Sequence, residues 1–202
     1  QELEKIAPVV IISGNHDMVE SNLDRLDSIT PMVTFLEGKE VAYYKESKCY
    51  LDDNIVWCVF SIFEGNDRPN AEQARKKHGD DEKYIGLFHG PIIGAKTDIG
   101  YTIDHGSDVG LFSGLDAVIM GDIHKGQTIM YSYGDKEIPC VYPSSLIQQN
   151  FGENVKGHGF VTWNIEDLTY KHVEVKNRYP FYTINIKSLD DLENNCEKIL
   201  NL

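Results

Sequence analysis

The chain has 202 residues, of which 41% are hydrophobic and 25% charged; that is length for roughly one and a third domains and the composition of an ordinary globular protein, not a disordered one. No stretch approaches the roughly 18 consecutive apolar residues of a membrane span. With 19 Lys+Arg against 32 Asp+Glu the net charge is −13, which excludes a protein that grips nucleic acid through a broad basic face; a polyanionic substrate would need bound divalent cations or a basic partner.

The opening residues, with Glu2 and Glu4, form no basic n-region, so no signal peptide is expected, and the missing initiator Met points to a natural start upstream of residue 1. Ile6 to Ile12 is a continuous apolar, β-branched run that predicts a strand buried on both faces, ending at Ser13-Gly14-Asn15-His16-Asp17. Leu23, Leu26 and Ile29 fall at helical spacing and predict a helix over Met18 to Ile29, stopped by Pro31. Strands are predicted at Met32 to Leu36, Val41 to Tyr44 and Asn54 to Phe63, and a short helix at Ala71 to Lys77 behind an Asn70 cap.

Tyr84 to Phe88 predicts a strand running into His89, and Leu115 to Met120 one running into Gly121-Asp122-Ile123-His124. Two hairpins follow: Gln127 to Tyr133 with Glu137 to Tyr142 across Gly134-Asp135, then Gly159 to Ile165 with Thr169 to Val175 across Glu166-Asp167. A last strand is predicted at Pro180 to Lys187, then a helix opened by Ser188 with Leu189, Leu192, Ile199 and Leu200 on its apolar side. The mix predicts an α/β or α+β layered sandwich. The four cysteines, Cys49, Cys58, Cys140 and Cys196, lack C-x-x-C spacing and read as buried free thiols.

Three strands thus release their chain into Asn15-His16-Asp17, into His89, and into Asp122-x-His124. In layered α/β proteins the carboxyl ends of strands share one edge, so the clusters are expected to converge. Asn oxygen, imidazole and carboxylate together suit Mn²⁺, Fe²⁺ or Zn²⁺. Each has a plainer reading as a turn or strand-end residue, but Gly14, Gly90 and Gly121 stand beside the clusters and permit close backbone approach. Lys125 is a weaker candidate for phosphate contact. His105 and His158 lie in glycine-flanked loops that could border a cleft, while His172 reads as a surface strand residue. Gly65 to Asn70 and Gly90 to Gly106 are loops long enough to shape a substrate channel.

Gly14-Asn15-His16-Asp17, Phe88-His89-Gly90 and Gly121-Asp122-Ile123-His124 resemble the third, fourth and fifth motifs of the calcineurin-like metallophosphoesterases. The run from Tyr142-Pro143-Ser144-Ser145 through Gln148-Gln149-Asn150-Phe151-Gly152-Glu153 to Gly157-His158-Gly159-Phe160 resembles, within that family, SbcD-type nuclease subunits of DNA double-strand-break repair and recombination complexes, phage versions included.

The resemblance implies a metallophosphoesterase-type layered β-sandwich flanked by helices over residues 1–176 and the start of a small capping module over 177–202. It implies a dinuclear centre, Mn²⁺ with Mg²⁺ as the alternative, that hydrolyses DNA phosphodiesters. Asn15, His89 and Asp122 would bind one metal and His124 the other. His16 would serve as acid or transition-state stabiliser, with Asp17 orienting it. An SbcC-type ATPase partner, a homodimer of the complete protein and a cytoplasmic location are implied as well.

Two departures accompany the likeness. Asp122 stands where the family usually has His, which hardens the site toward Mn²⁺ or Mg²⁺. The family's first two motifs, an Asp-x-His and a Gly-Asp-x-x-Asp or Asn, belong upstream of Gly14, where this chain has only 13 residues. The expectation is a chain lacking the N-terminal strands and bridging carboxylate, inactive by itself. Competing readings are a phosphoesterase for small phosphomonoesters or protein phosphates, against which the Gln148 to Phe151 segment argues, and a binding or scaffold module that keeps the fold without the chemistry.

Overall fold

In a computed structural model that describes residues 2–19, 21–22, 25–36, 40–63 and 68–200, a 3-10 turn at Leu3–Lys5 precedes the first strand, β1 (Val9–Ile11). The strand is shorter than the apolar run predicts and half-buried, not covered on both faces. Among the described residues its one ladder is parallel, to β2 (Val41–Tyr43), with Val9 opposite Val41 and Ile11 opposite Tyr43. The chain leaves β1 through Ser13 and Gly14 into a 3-10 turn, Asn15–Asp17.

The helix predicted over Met18 to Ile29 does not form among its described residues; Leu26 is 63% exposed, and Leu23 lies outside the described residues. Helix α1 spans Ile29–Thr34 and occupies the start of the strand predicted at Met32 to Leu36. The cause is a start signal. Asp27 Oδ1 accepts from the N–H groups of Ile29 (2.9 Å) and Thr30 (2.7 Å), satisfying first-turn donors. Pro31 then falls inside the first turn, where its missing N–H would have had no helical acceptor, so it opens the helix instead of stopping one.

A six-stranded mixed sheet follows, in the order β3-β4-β5-β6-β8-β7. Its members are β3 (Cys49–Asp52), β4 (Ile55–Phe60), β5 (Lys83–His89), β6 (Ala117–Gly121), β7 (Gln127–Tyr133) and β8 (Lys136–Tyr142). β4, β5, β6 and β8 are parallel, while β3 and β7 are antiparallel edges. β3 was not predicted: its Tyr50-Leu51-Asp52 segment carries little apolar alternation, and it is recruited by a turn in which Asp53 adopts φ 49°. Helix α2 (Ala71–His78) starts where Asn70 Oδ1 accepts the Gln73 N–H at 2.9 Å and ends at Gly79, φ 104°.

The core lies on this sheet. Tyr84 to Phe88 of β5 are all buried, as a strand flanked by parallel neighbours requires. Phe60, Phe88 and Phe112 meet edge to face with centroids 5.3, 5.4 and 6.4 Å apart, and each ring pair adds about 0.5–1.5 kcal/mol beyond its buried area.

The two hairpins form close to their predicted bounds, the second as β9 (Gly159–Asn164) and β10 (Thr169–Glu174). It docks on the main sheet through Thr128 Oγ1 and Tyr170 Oη at 2.8 Å and through His172 Nε2, which donates to the Pro143 carbonyl. Pro180 to Lys187 forms no strand. The buried Gln148 amide accepts from the Phe181 N–H at 2.8 Å and donates to the Phe181 carbonyl at 3.2 Å, taking the bonds a neighbouring strand would have made. Helix α3 (Leu189–Leu200) opens with Ser188 Oγ accepting the Asp191 N–H; of its predicted apolar side, Leu189 is exposed and the side chains of Leu192, Ile199 and Leu200 lie outside the described residues. No helix among the described residues is long and apolar enough to cross a membrane. Among the described residues the architecture is mixed α/β: one six-stranded sheet, two two-stranded sheets and few helices.

Candidate metal centre

The carboxyl ends of β1, β5 and β6 deliver Asn15, His89 and Asp122 to one place. His89 Nε2 lies 3.1 Å from Asn15 Oδ1 and 3.7 Å from Asp122 Oδ1. Donors bound to one cation at about 2.1 Å sit roughly 3.0–3.4 Å apart, so both contacts of His89 Nε2 are at or near the spacing of donors that share a cation. Among the described residues no three His, Cys, Asp or Glu side chains group closely enough to hold a metal by themselves. The cluster reaches three donors only through the Asn15 amide oxygen.

Two glycines make the cluster possible. A Cβ on Gly14 would stand 2.8 Å from His89 Cε1, and one on Gly121 would stand 2.8 Å from His89 Nδ1. The imidazole is therefore slotted between two backbone segments, each of which presents its next residue, Asn15 or Asp122, to the ring's Nε2 edge. Asp122 itself has φ 88°, a left-handed conformation that Asp tolerates at a cost and that turns the chain sharply off the end of β6. Behind the ring, Tyr142 Oη donates to the Gly90 carbonyl at 2.8 Å and accepts the Ile92 N–H at 3.2 Å, fixing the loop that follows His89.

Burial holds the His89 imidazolium pKa below its ordinary value; the Asp122 and Asp17 carboxylates oppose that shift, and the nearby His16 and His124 add to it. The ring is thus biased toward the neutral form that ligates.

His124 is oriented from a distance. Its Nδ1 donates to Glu153 Oε1 at 2.8 Å, so that in the neutral ring Nε2 is the nitrogen that carries the lone pair. Glu153, with a side chain 5% exposed, also accepts from Asn150 Nδ2 at 2.7 Å and from the Gln149 N–H at 2.8 Å. Burial alone would raise its carboxyl pKa, but the Gln149 N–H, His124 and His158 bring it below the ordinary value. Asp122, His124 and Glu153 line a cleft of about 260 Å³ together with Thr97, Asp98 and Ile99. Those three come from the Gly90 to Gly106 loop expected to shape a channel, and its tip is tied across by Asn154 Nδ2 donating to Asp98 Oδ1.

Other expected roles change. Asp17 does not orient His16: its oxygens accept from the Gly14 N–H at 2.9 Å and the Ser28 hydroxyl at 2.7 Å, closing the turn that carries Asn15 and His16. His16 is exposed beside the cluster. Lys125 is half-buried beyond His124 and is not among the residues lining the cleft. His158 does not border the cleft. It is buried, accepting from the Ser145 hydroxyl at Nδ1 and donating from Nε2 to the Asn154 carbonyl. His105 is exposed beside Asp104. Sequence reasoning missed Glu153 as a site residue, since the only signal was its place in a loop rich in turn residues, 29 positions after His124.

No family model matches the chain. An Acanthamoeba polyphaga mimivirus protein described as uncharacterized protein R555 is 36% identical over 191 residues, 91% of this chain. The chain spans 14% of the length of that relative.

Proposed function

We propose that this chain contributes one half of a dinuclear metallophosphoesterase centre, of the SbcD-type nuclease kind, acting on DNA phosphodiesters. The observation that carries the reading is the meeting of Asn15 Oδ1, His89 Nε2 and Asp122 Oδ1 at three strand ends, with His124 alongside. In this reading the mixed α/β architecture is part of a layered β-sandwich, continued by strands beside β1, and residues 177–202 begin a capping module.

Asn15, His89 and Asp122 would hold one cation and His124 would serve a second, with Mn²⁺ favoured over Zn²⁺ because two of the first three donors are oxygens. When bound, such a pair neutralises the phosphate, lowers the pKa of water and so overcomes the repulsion expected from a net charge of −13. The chain's own residues then have separate tasks. His89, kept neutral by burial, binds. Glu153 fixes the tautomer of His124. His16, exposed and not needed as a ligand, donates a proton to the departing oxygen. DNA as substrate, an SbcC-type ATPase partner, a dimer and a cytoplasmic setting belong to this proposal for the whole protein, not for the present chain alone.

The experiment is Mn²⁺ titration calorimetry on this chain beside single-turnover DNA cleavage by the full-length protein. One Mn²⁺ per chain is expected, lost in His89→Ala. His16→Ala should keep metal content while cleavage falls on the order of 10²-fold. Loss of metal in His16→Ala would overturn its assignment, and no Mn²⁺ binding to the chain would overturn the centre.

A further inference from the structure

We propose that Cys49 and Cys58 are an oxidation site: a dithiol that closes to a cross-strand disulfide by exchange with a small-molecule disulfide such as oxidised glutathione. The two residues face each other in the β3–β4 hairpin, Cys49 opposite Cys58, and their sulfurs stand 2.9 Å apart. That approach follows from the ladder. The Asp53-Asn54 turn makes Asp52 and Ile55 the closing hydrogen-bonded pair, and pairs alternate from there, so Cys49 and Cys58 form a non-hydrogen-bonded pair. The next pair confirms the phase, with the Val59 N–H donating to the Lys48 carbonyl at 3.0 Å. Non-hydrogen-bonded pairs bring side chains closest, near the Cβ separation a disulfide needs.

The two thiols are also unequal in the way exchange requires. Cys49 is partly exposed on an edge strand, whereas Cys58 is fully buried. The Cys58 S–H and the Lys77 ammonium favour a Cys49 thiolate, and the same contact together with burial pushes the Cys58 thiol up. Cys49 is the attacking sulfur and Cys58 the resolving one.

Closure is a two-electron thiol–disulfide exchange. Cys49 Sγ, its proton lost to water, attacks one sulfur of oxidised glutathione and expels the first glutathione thiolate. Cys58 then gives up its proton and attacks Cys49 Sγ, breaking the mixed disulfide and expelling the second. The protein loses two electrons and two protons, and two reduced glutathione molecules leave. Closing the bond would clamp the edge strand to β4 directly after the segment that joins β2 to the main sheet, where Ser47 Oγ accepts the Ser61 N–H at 2.9 Å.

The test uses the 202-residue chain with the exposed Cys196 replaced, Cys196→Ser, which keeps three of its four cysteines. After equilibration in glutathione buffers the intact mass should fall by two hydrogens, and a peptide map should show Cys49 linked to Cys58 while Cys140 stays free. Cys58→Ala in the same background should instead accumulate one glutathione on Cys49, and Cys49→Ser should gain neither the bond nor an adduct at Cys58. A stable glutathione adduct on Cys49 with Cys58 still a free thiol would overturn the proposal. So would a fully reduced pair in an excess of oxidised glutathione. Circular dichroism of each variant establishes that the hairpin is folded when the assignment is read.

Discussion

The candidate centre is built from two unlike pieces of sheet. His89 and Asp122 sit at the ends of β5 and β6, where β5 is hydrogen-bonded on both sides and buried from Tyr84 to Phe88. Asn15 and His16 hang from β1, which has one described strand partner and no fully buried residue. What holds the smaller piece is polar: Ser13 Oγ meets Tyr43 Oη at 2.6 Å, and Asp27, its side chain wholly buried, binds Tyr43 Oη, Thr30 and the Lys45 ammonium. One half of the site is placed by apolar packing, which is hard to perturb. The other is placed by a few charge-assisted bonds.

Removing the ligands tests that division most severely. His89→Ala should weaken Mn²⁺ binding by about 100-fold or more with little change in β5 stability. Asn15→Ala should cost less, since its sheet is the more adjustable; calorimetric affinities in that order are expected, and the reverse order would break the comparison.

Gly121→Ala probes the rigid half, because its Cβ meets the His89 ring at 2.8 Å with β5 and β6 unable to separate. Gly14→Ala meets the same ring at 2.8 Å from the softer side. Both should lower Mn²⁺ affinity, Gly121→Ala by on the order of 10–100-fold and Gly14→Ala by less, as read by titration.

Asp27→Asn should loosen only the small sheet, at about 1–2 kcal/mol for the weakened hydrogen bonds, since the Lys45 side chain left without its counter-charge is 40% exposed and rehydrates; it would be seen as faster amide exchange at Val9, Val41 and Ala42 with β5 unchanged. The pH dependence has a definite sign. Burial would raise the Asp27 carboxyl pKa, but the Lys45 and Thr30 bonds hold it well below the ordinary Asp range. Its contribution is therefore present above the unfolded value, about pH 4, and lost as pH falls through the lower folded value. Denaturant midpoints of wild type and Asp27→Asn should converge on acidification. The smallest expected effect is Glu153→Gln, about tenfold in affinity for the second cation of the proposed dinuclear centre, since Gln can accept from His124 but carries no charge.

The rigid half was the legible half. Apolar runs ending in His89 and in Gly121-Asp122 announce strands of a buried sheet, and their ends do meet. The soft half was not. The periodicity of Leu23, Leu26 and Ile29 outweighed the capping chemistry of Asp27, a side chain whose role depends on Lys45, 18 residues away. Glu153 and Gln148 were missed for the same reason: each works by a bond to a distant atom, His124 Nδ1 or the Phe181 backbone, and hydropathy patterns carry no trace of such bonds.

The His89 imidazole lies close enough to two glycines to carry its ring current onto their α-hydrogens, so the Hα signals of Gly14 and Gly121 should be displaced from ordinary glycine positions. Those two resonances form a built-in spectroscopic gauge of where the ring sits. Because Gly14 belongs to the small sheet and Gly121 to the large one, unequal movement of the two signals during a metal titration would tell which wall of the slot yields.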